Sequence, residues 1–368
     1  MKINFLTSHN HEGSVTRAIA MFANSLTKLG HDVVISYPIV QQYCHYKYRL
    51  DTSSYFKVFL FIIKNVIKFG SKHWSGIAYG IDKKVEFNKY LLMPSSLNMP
   101  DSDIIVTFQQ ALLPSMIELS EAKGLLIDIL TSSEYEGDIH EKWFDHTMKR
   151  YSKIIAIPRY VLSNRMSMYF LNSGISNDGI IPLGVDGDMF FHNKYSEKDD
   201  GILFFISPWG AKGASVSIDI AKCLRRLGVE NKFYTVGNTS GLDVSVFDHN
   251  YGYVESDEYS SIYRRHKYFI YTSLFDGFPT PPLEAMKSGA VCILSNTPGV
   301  EDYSENGVSS LLCHPGNVQE FVDSVTKVIS DEVLCKKLSK NAISRAETMT
   351  WDSATDEMVR LFYIQLRR

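Results

Sequence analysis

The chain has 368 residues and a formal net charge of −3, with 45% apolar and 21% charged residues. Such a length exceeds what one hydrophobic core ordinarily serves and predicts two domains. The near-neutral balance argues against a nucleic-acid partner, which needs a basic surface.

Five cysteines (Cys44, Cys223, Cys292, Cys313 and Cys335) form no Cys-x-x-Cys pair. The pattern reads as free thiols in a reducing compartment, with no zinc site and no disulfide framework. Residues 1–6 are too short an apolar run for a signal peptide, and no apolar stretch is long enough to span a bilayer. A cytoplasmic protein is expected.

In chain order, residues 3–6 read as a strand and Ser14 as the cap of a helix. On that helix Ile19, Phe22, Ala23, Leu26 and Leu29 share one face, Gly30 ends it, and residues 33–35 form the next strand. Residues 55–74 follow with a wide apolar arc. Lys57, Lys64, Lys68 and Lys72 lie on one narrow face of it, and Trp74 flanks it. That pattern suits a helix lying in a membrane interface. It equally suits a helix buried in the first domain with its lysines reaching out to solvent. Residues 125–130 are a further strand, followed by a loop carrying Glu134, Glu136 and His140.

Residues 192–200 are polar and form the best linker candidate. Beyond them a second α/β series opens: a strand at 202–206, a helix at 216–227 closed by Gly228, and strands at 233–236, 269–272 and 291–294. Two doubly wound halves would hold a ligand between the carboxyl ends of their strands.

The chemistry concentrates in Ser273-Leu274-Phe275-Asp276-Gly277-Phe278-Pro279-Thr280-Pro281-Pro282-Leu283-Glu284-Ala285-Met286. A buried strand ends, a loop carries Asp276, and a helix opens with Thr280 as its expected cap and prolines in its first turn. Glu284 lies early in that helix, near backbone N–H groups that favour anions. Carboxylates beside such a helix start suit a ligand that is part polyol and part diphosphate. The plainer alternative is a turn-capping Asp276 and a dipole-complementing Glu284.

This run resembles the signature of family 4 glycosyltransferases, in which two glutamates separated by seven residues lie in a Glu-Gly-Phe…Pro…Leu-Glu-Ala-Met pattern. Here it reads Asp276-x7-Glu284, with aspartate one methylene shorter at the first position. The resemblance implies that Asp276 contacts donor-sugar hydroxyls, with Gly277, Phe278 and Thr280 beside it. It also implies that Glu284 contacts the ribose of the nucleotide. In Ser207-Pro208-Trp209-Gly210-Ala211-Lys212-Gly213, Lys212 matches the family lysine that neutralises the donor diphosphate, and Ser207 stands where the family has arginine. Gly252-Tyr253-Val254 resembles the loop that reads the nucleobase. Glu12-Gly13-Ser14 takes the place of the glycine-rich turn at the donor phosphates. Residues 154–157, then Pro182-Leu183-Gly184-Val185-Asp186, resemble the strand and turn that close the family's first half. Thr350-Trp351-Asp352 resembles the start of its last helix.

The fold implied is GT-B: two Rossmann-like domains with an interdomain cleft and a C-terminal helix crossing back to the first. Expected bounds are 1–192 for an acceptor-binding domain, 193–350 for a nucleotide-sugar-binding domain, and 351–368 for the returning helix.

The activity implied is retaining, metal-independent transfer of a sugar to a glycan or lipid-linked acceptor, in bacterial surface polysaccharide synthesis at the cytoplasmic face of the membrane. No cofactor is expected; the donor is a UDP-, GDP- or dTDP-linked sugar. Asp276, Lys212 and Glu134 are the catalytic candidates, because the loop after residues 125–130 lacks the histidine the family often places there. Two alternatives stay open: a nucleotide-sugar epimerase of the same fold, and a catalytically degenerate subunit that binds nucleotide sugar or membrane. The triplets Asp101-Ser102-Asp103 and Asp186-Gly187-Asp188 resemble a metal motif, but both sit at element boundaries where aspartates cap turns.

Overall fold

A computed structural model describes residues 1–8, 13–40, 60, 62–64, 66–67, 80–131, 157–172, 174–192, 198–254 and 256–368. Two parallel sheets dominate it. The first contains β1 (Lys2–Leu6), β2 (Asp32–Pro38), β3 (Glu86–Tyr90), β4 (Ile104–Thr107), β5 (Leu125–Leu130), β6 (Arg159–Val161) and β7 (Gly179–Ile180). Their order across the sheet is β3-β2-β1-β4-β5-β6-β7. The second contains β8 (Asp199–Ile206), β9 (Phe233–Gly237), β10 (His249–Asn250), β11 (His266–Tyr271), β12 (Val291–Ser295) and β13 (Leu311–Cys313). Its order is β10-β9-β8-β11-β12-β13, the same winding as the first.

Strands covered on both faces carry continuous apolar runs, as residues 104–106 of β4, 268–271 of β11 and 291–294 of β12 do, all of them buried. In each sheet the order reverses beside the first strand of its half, where β4 joins β1 and β11 joins β8. Ligands of doubly wound sheets sit outside the carboxyl ends of the strands at such reversals.

The helix Trp351–Leu366 runs back to the first half. Thr350 caps it through Ser353 in a reciprocal pair of bonds, and Trp351 meets the Phe22 ring edge-on at 5.3 Å. Ser25 donates to Asp352 at 2.9 Å, and Gln365 donates to the Tyr160 hydroxyl at 3.0 Å. The crossing is tight. A Cβ on Gly184 would stand 2.3 Å from the Trp351 backbone nitrogen, so only glycine fits where Val185 bridges Thr350. One hydrophobic cluster runs through both halves, joining Phe22 and Phe108 to Phe278, Leu283 and Met286.

Several expectations shift in detail. The first helix spans Ser14–Lys28 with Gly13, in extended conformation, as its cap residue; Ser14 is its first helical residue. The expected linker is shorter than 192–200, because Asp199 and Asp200 already lie in β8. Lys198 is tied down as well, donating to the carbonyls of Tyr263, Arg264 and His266. Burial lowers its ammonium pKa to about 8. Within 154–157 only Ile157 is described, and it precedes the strand, which begins at Arg159. Among the described residues no helix is long and apolar enough to cross a membrane.

Candidate active site

The two strand-order reversals face each other across a cleft of about 340 Å³. Gly13, Ser14, Arg17, Phe108 and Leu183 line it from the first half. Ser207, Trp209, Lys212, Tyr253, Asp276, Phe278 and Thr280 line it from the second, and Trp351 of the returning helix completes the wall.

The second half builds its side from two loops laced together. After β8, residues 207–213 turn back on themselves, and Gly213 adopts φ +65° as it starts the helix Ala214–Arg226. After β11, Thr272 donates to the Gly213 carbonyl at 3.0 Å and Ser273 to the Ala211 carbonyl at 2.8 Å. The Leu274 amide also binds Ala211, at 2.7 Å. This lacing puts Lys212 against Asp276 in an ion pair, with both side chains largely buried. The Tyr271 hydroxyl donates to the same carboxylate oxygen at 2.7 Å. Lys212 also sits over the rings of Trp209 and Tyr271, at 5.5 and 5.9 Å from their centroids. Gly299 locks the loop from outside: its amide donates to the Asp276 carbonyl, and any Cβ there would strike the Gly277 carbonyl.

The helix Thr280–Lys287 begins one residue earlier than the capping expectation placed it. Pro279 is the cap residue, and Thr280 is already helical. The Thr280 hydroxyl turns inward toward Glu284 instead of capping. Pro279, Pro281 and Pro282 carry no N–H, so three of the four free donors of an ordinary helix start are missing here. The anion-attracting power expected of this terminus is correspondingly reduced.

Glu284 is placed differently from Asp276. It is 1% exposed and does not line the cleft. Its Oε1 stands 2.5 Å from Nη1 of Arg17, which reaches across from the first half. Neither carboxylate oxygen has a well-aligned hydrogen bond. Burial pushes this carboxyl above its usual range, and the Arg17 charge pulls it back down. Tyr259 and Tyr263 stand beside it with hydroxyls 2.7 Å apart. The Tyr263 phenol is driven well up by burial and by the Glu284 charge.

The structure therefore brings Gly13, Ser207, Lys212, Tyr253, Asp276, Phe278 and Thr280 to one cleft, with Gly277 buried behind Asp276 and Glu284 beneath the wall. Glu12, Glu134, Glu136 and His140 lie outside the described residues, as do Lys57, Lys68, Lys72 and Trp74. Lys64 is described and exposed, as part of a helical stretch in which Leu60, Ile63, Val66 and Ile67 are exposed too. The two aspartate triplets serve local structure. Asp186 accepts from the amides of Asp188 and Met189, Asp101 pairs with Lys123, and Asp103 accepts from the Lys2 amide. Among the described residues no three His, Cys, Asp or Glu side chains converge as metal ligands would.

Sequence reading missed Arg17, Tyr271, Tyr259 and Trp351 as parts of this site. The one available signal was an arginine beside the apolar stripe of the first helix, a place where a charge needs a partner.

Two sheets of this winding, a cleft at their reversals and a last helix returning to the first half define the GT-B fold. Solved structures agree with that assignment. A TarM mutant from S. aureus, in complex with fondaparinux, alpha-GlcNAc-glycerol and UDP, superposes with a TM-score of 0.72 over 98% of this chain and 99% of that one, at 11% identity. Residues 247–345, which carry the Asp276 loop and the Thr280 helix, match the family model of glycosyl transferases group 1. Serotype-specific mannosyltransferase WbdA of Escherichia coli is 29% identical over 100 residues, which are 27% of this chain and only 12% of that relative. Alpha-1,3/1,6-mannosyltransferase ALG2 of Dictyostelium discoideum is 25% identical over 60% of this chain and 57% of its own length.

Proposed function

We propose that this chain is a retaining glycosyltransferase of family 4 type that moves a hexose from a nucleoside diphosphate to a glycan or lipid-linked acceptor. The observation that carries the reading is the Lys212–Asp276–Tyr271 cluster, seated at the strand-order reversal of the second sheet and facing the interdomain cleft. Breaking an anomeric carbon–oxygen bond builds negative charge on the departing diphosphate. A fixed cation in a partly dry cleft stabilises that charge most. Lys212 is that cation, and Asp276 with Tyr271 holds it in place and presents an acceptor for sugar hydroxyls. No metal enters this scheme. The relatives named as mannosyltransferases favour a mannosyl donor, with polysaccharide or lipid-linked glycan assembly as the setting.

A membrane-facing role is a separate part of the proposal. It rests on the exposed apolar side chains of Leu60, Ile63, Val66 and Ile67 next to Lys64, the arrangement of an interfacial helix. The cytoplasmic face is proposed for it on the family resemblance alone.

The test is thermal stabilisation by UDP-, GDP-, dTDP-, ADP- and CMP-sugars, beside a Glu284→Ala variant. A ligand that binds only the folded state must raise the melting temperature. One nucleotide should do so and fail in the variant, and the product should keep the donor's anomeric configuration by NMR. Folded protein that responds to none of them would refute the reading and leave the non-catalytic subunit as the better account. Turnover of donor without acceptor would favour the epimerase.

A further inference from the structure

The loop that carries Asp276 is held on its outer side as well as on the side laced to Gly213. Residues 299–303 lie along that outer side and tie to it at both ends. The Gly299 amide donates to the Asp276 carbonyl at 3.1 Å, and the Tyr303 hydroxyl donates to the Pro279 carbonyl at 2.8 Å. The rings of Tyr303 and Phe278 meet at 5.3 Å. A Cβ on Gly299 would strike the Gly277 carbonyl, so the two stretches of backbone are in direct contact. A shift of one must therefore displace the other.

The far face of residues 299–303 is held by the first half. The helix Asn164–Asn172 turns its N-terminus toward it. The Asp302 carboxylate accepts from the Asn164 amide at 2.7 Å and from the Asn164 side-chain nitrogen at 3.1 Å. A carboxylate is favoured at that end of a helix, where free N–H groups concentrate. Arg165 pairs with Glu301. One turn further on, the Tyr169 ring meets that of Phe275, the chain neighbour of Asp276, at 5.8 Å. From the second half, Arg345 donates to the Asp302 carbonyl at 2.7 Å and completes the clamp. A single nine-residue helix of the first half thus touches the Asp276 loop twice, directly at Phe275 and indirectly through residues 299–303.

We infer that Arg165 and Tyr169 are positioning residues for Asp276: their helix holds residues 299–303 and Phe275 against the loop and so sets its carboxylate beside Lys212. The inference rests on the sugar-facing role proposed for Asp276. Lys212, Tyr271 and the bonds to Ala211 and Gly213 all belong to the second half and grip the loop from within. A loop fixed on one side only can tilt about that side. The helix Asn164–Asn172 removes this freedom, and it does so only while the two halves are docked. The acid that faces the sugar is therefore placed by the half that does not carry it. Tyr253, which lines the cleft on a different loop, does not depend on this clamp.

The test compares the full chain with Tyr169→Ala, Tyr169→Phe, Arg165→Glu, Glu301→Arg and the exchanged pair Arg165→Glu with Glu301→Arg. Tyr169 and Arg165 are both about half exposed, so replacing either opens no core. The first readout, amide hydrogen exchange across residues 273–279, needs no ligand. Exchange there should quicken in Tyr169→Ala, Arg165→Glu and Glu301→Arg, and return toward the wild-type rate in Tyr169→Phe and in the exchanged pair. The second readout is turnover of whichever UDP-, GDP-, dTDP-, ADP- or CMP-sugar stabilises the wild type, beside calorimetric binding of the same nucleotide without its sugar. Tyr169→Ala should lose about tenfold in kcat, a part of the roughly hundredfold that a displacement of about 1 Å costs. Its affinity for the bare nucleotide should stay at the wild-type value. Bare-nucleotide affinity that falls in step with kcat overturns the inference, because the contacts then only hold the halves together. Wild-type exchange and wild-type kcat in Tyr169→Ala overturn it too, and leave the donor reading standing. Wild type that responds to none of the sugar nucleotides overturns the donor reading and the inference with it.

Discussion

Replacing Gly213 by alanine tests whether the loop lacing described above sets the position of Lys212. Gly213 has φ +65°, a conformation that costs an alanine about 1 kcal/mol. The larger effect is steric. The new Cβ would stand 2.1 Å from the Thr272 carbonyl oxygen, which belongs to backbone and has no rotamer to retreat into. A carbon–oxygen contact settles near about 3.3 Å, so the two loops must part by roughly 1.2 Å. Thr272 and Ser273 would then lose their bonds to Gly213 and Ala211, and Lys212 would leave its seat beside Asp276. Misplacement of about 1 Å at a charge-stabilising group costs on the order of a hundredfold in rate. The assay is turnover of the donor identified by thermal shift, with the melting temperature measured on the same preparation. A fall of about a hundredfold in kcat with a modest fall in melting temperature is expected. Unchanged kcat in a folded Gly213→Ala protein would refute the argument that this lacing positions the cation.

Two other perturbations probe the way the halves are joined. Trp351→Ala removes a buried ring packed on Phe22. It should destabilise by about 3 kcal/mol or more, read as a drop of roughly 6–10 °C in the melting transition of the first half. Asp302→Ala deletes the carboxylate that accepts from both the backbone and side-chain nitrogens of Asn164 in the other half, at 2.7 and 3.1 Å. Donor KM should rise several-fold and small-angle scattering should report a wider molecule, while the melting temperature of each half should hold; an unchanged KM and radius would show that this contact does not keep the halves closed.

The architecture was legible because parallel strands covered on both faces must be continuously apolar. Ile202-Leu203-Phe204-Phe205-Ile206 and Val291-Cys292-Ile293-Leu294 announce themselves on that ground. Gly30 and Gly228, both at positive φ, mark true helix ends. The exact caps were less legible. Ser14 and Thr280 are good capping types, yet each sits one residue inside its helix. The linker estimate ran long because Asp199 and Asp200 look like solvated loop residues. In fact they sit at the start of a strand, where the His266 ring hydrogen-bonds Asp199 and Lys267 pairs with Asp200. At the site, motif spacing located Asp276 and Lys212 but could not find Arg17 or Tyr271. Arg17 takes its meaning from a partner in the other half of the chain, and Tyr271 reads as one more apolar strand residue until its hydroxyl is seen on Asp276.

The returning helix has a consequence for how the molecule is made. A ribosome delivers β1 through β7 long before it delivers Trp351–Leu366, so the Phe22 face of the first half waits uncovered while the whole second half is synthesised. The second sheet is, in effect, a guest inserted into an unfinished host. One side of that sheet, built around Ile202, Phe204, Ile220 and Phe321, packs on second-half residues alone, while the other side shares its cluster with the first half. Vectorial synthesis therefore leaves the earlier half to be sealed late, by a helix that emerges only after the second half has been made.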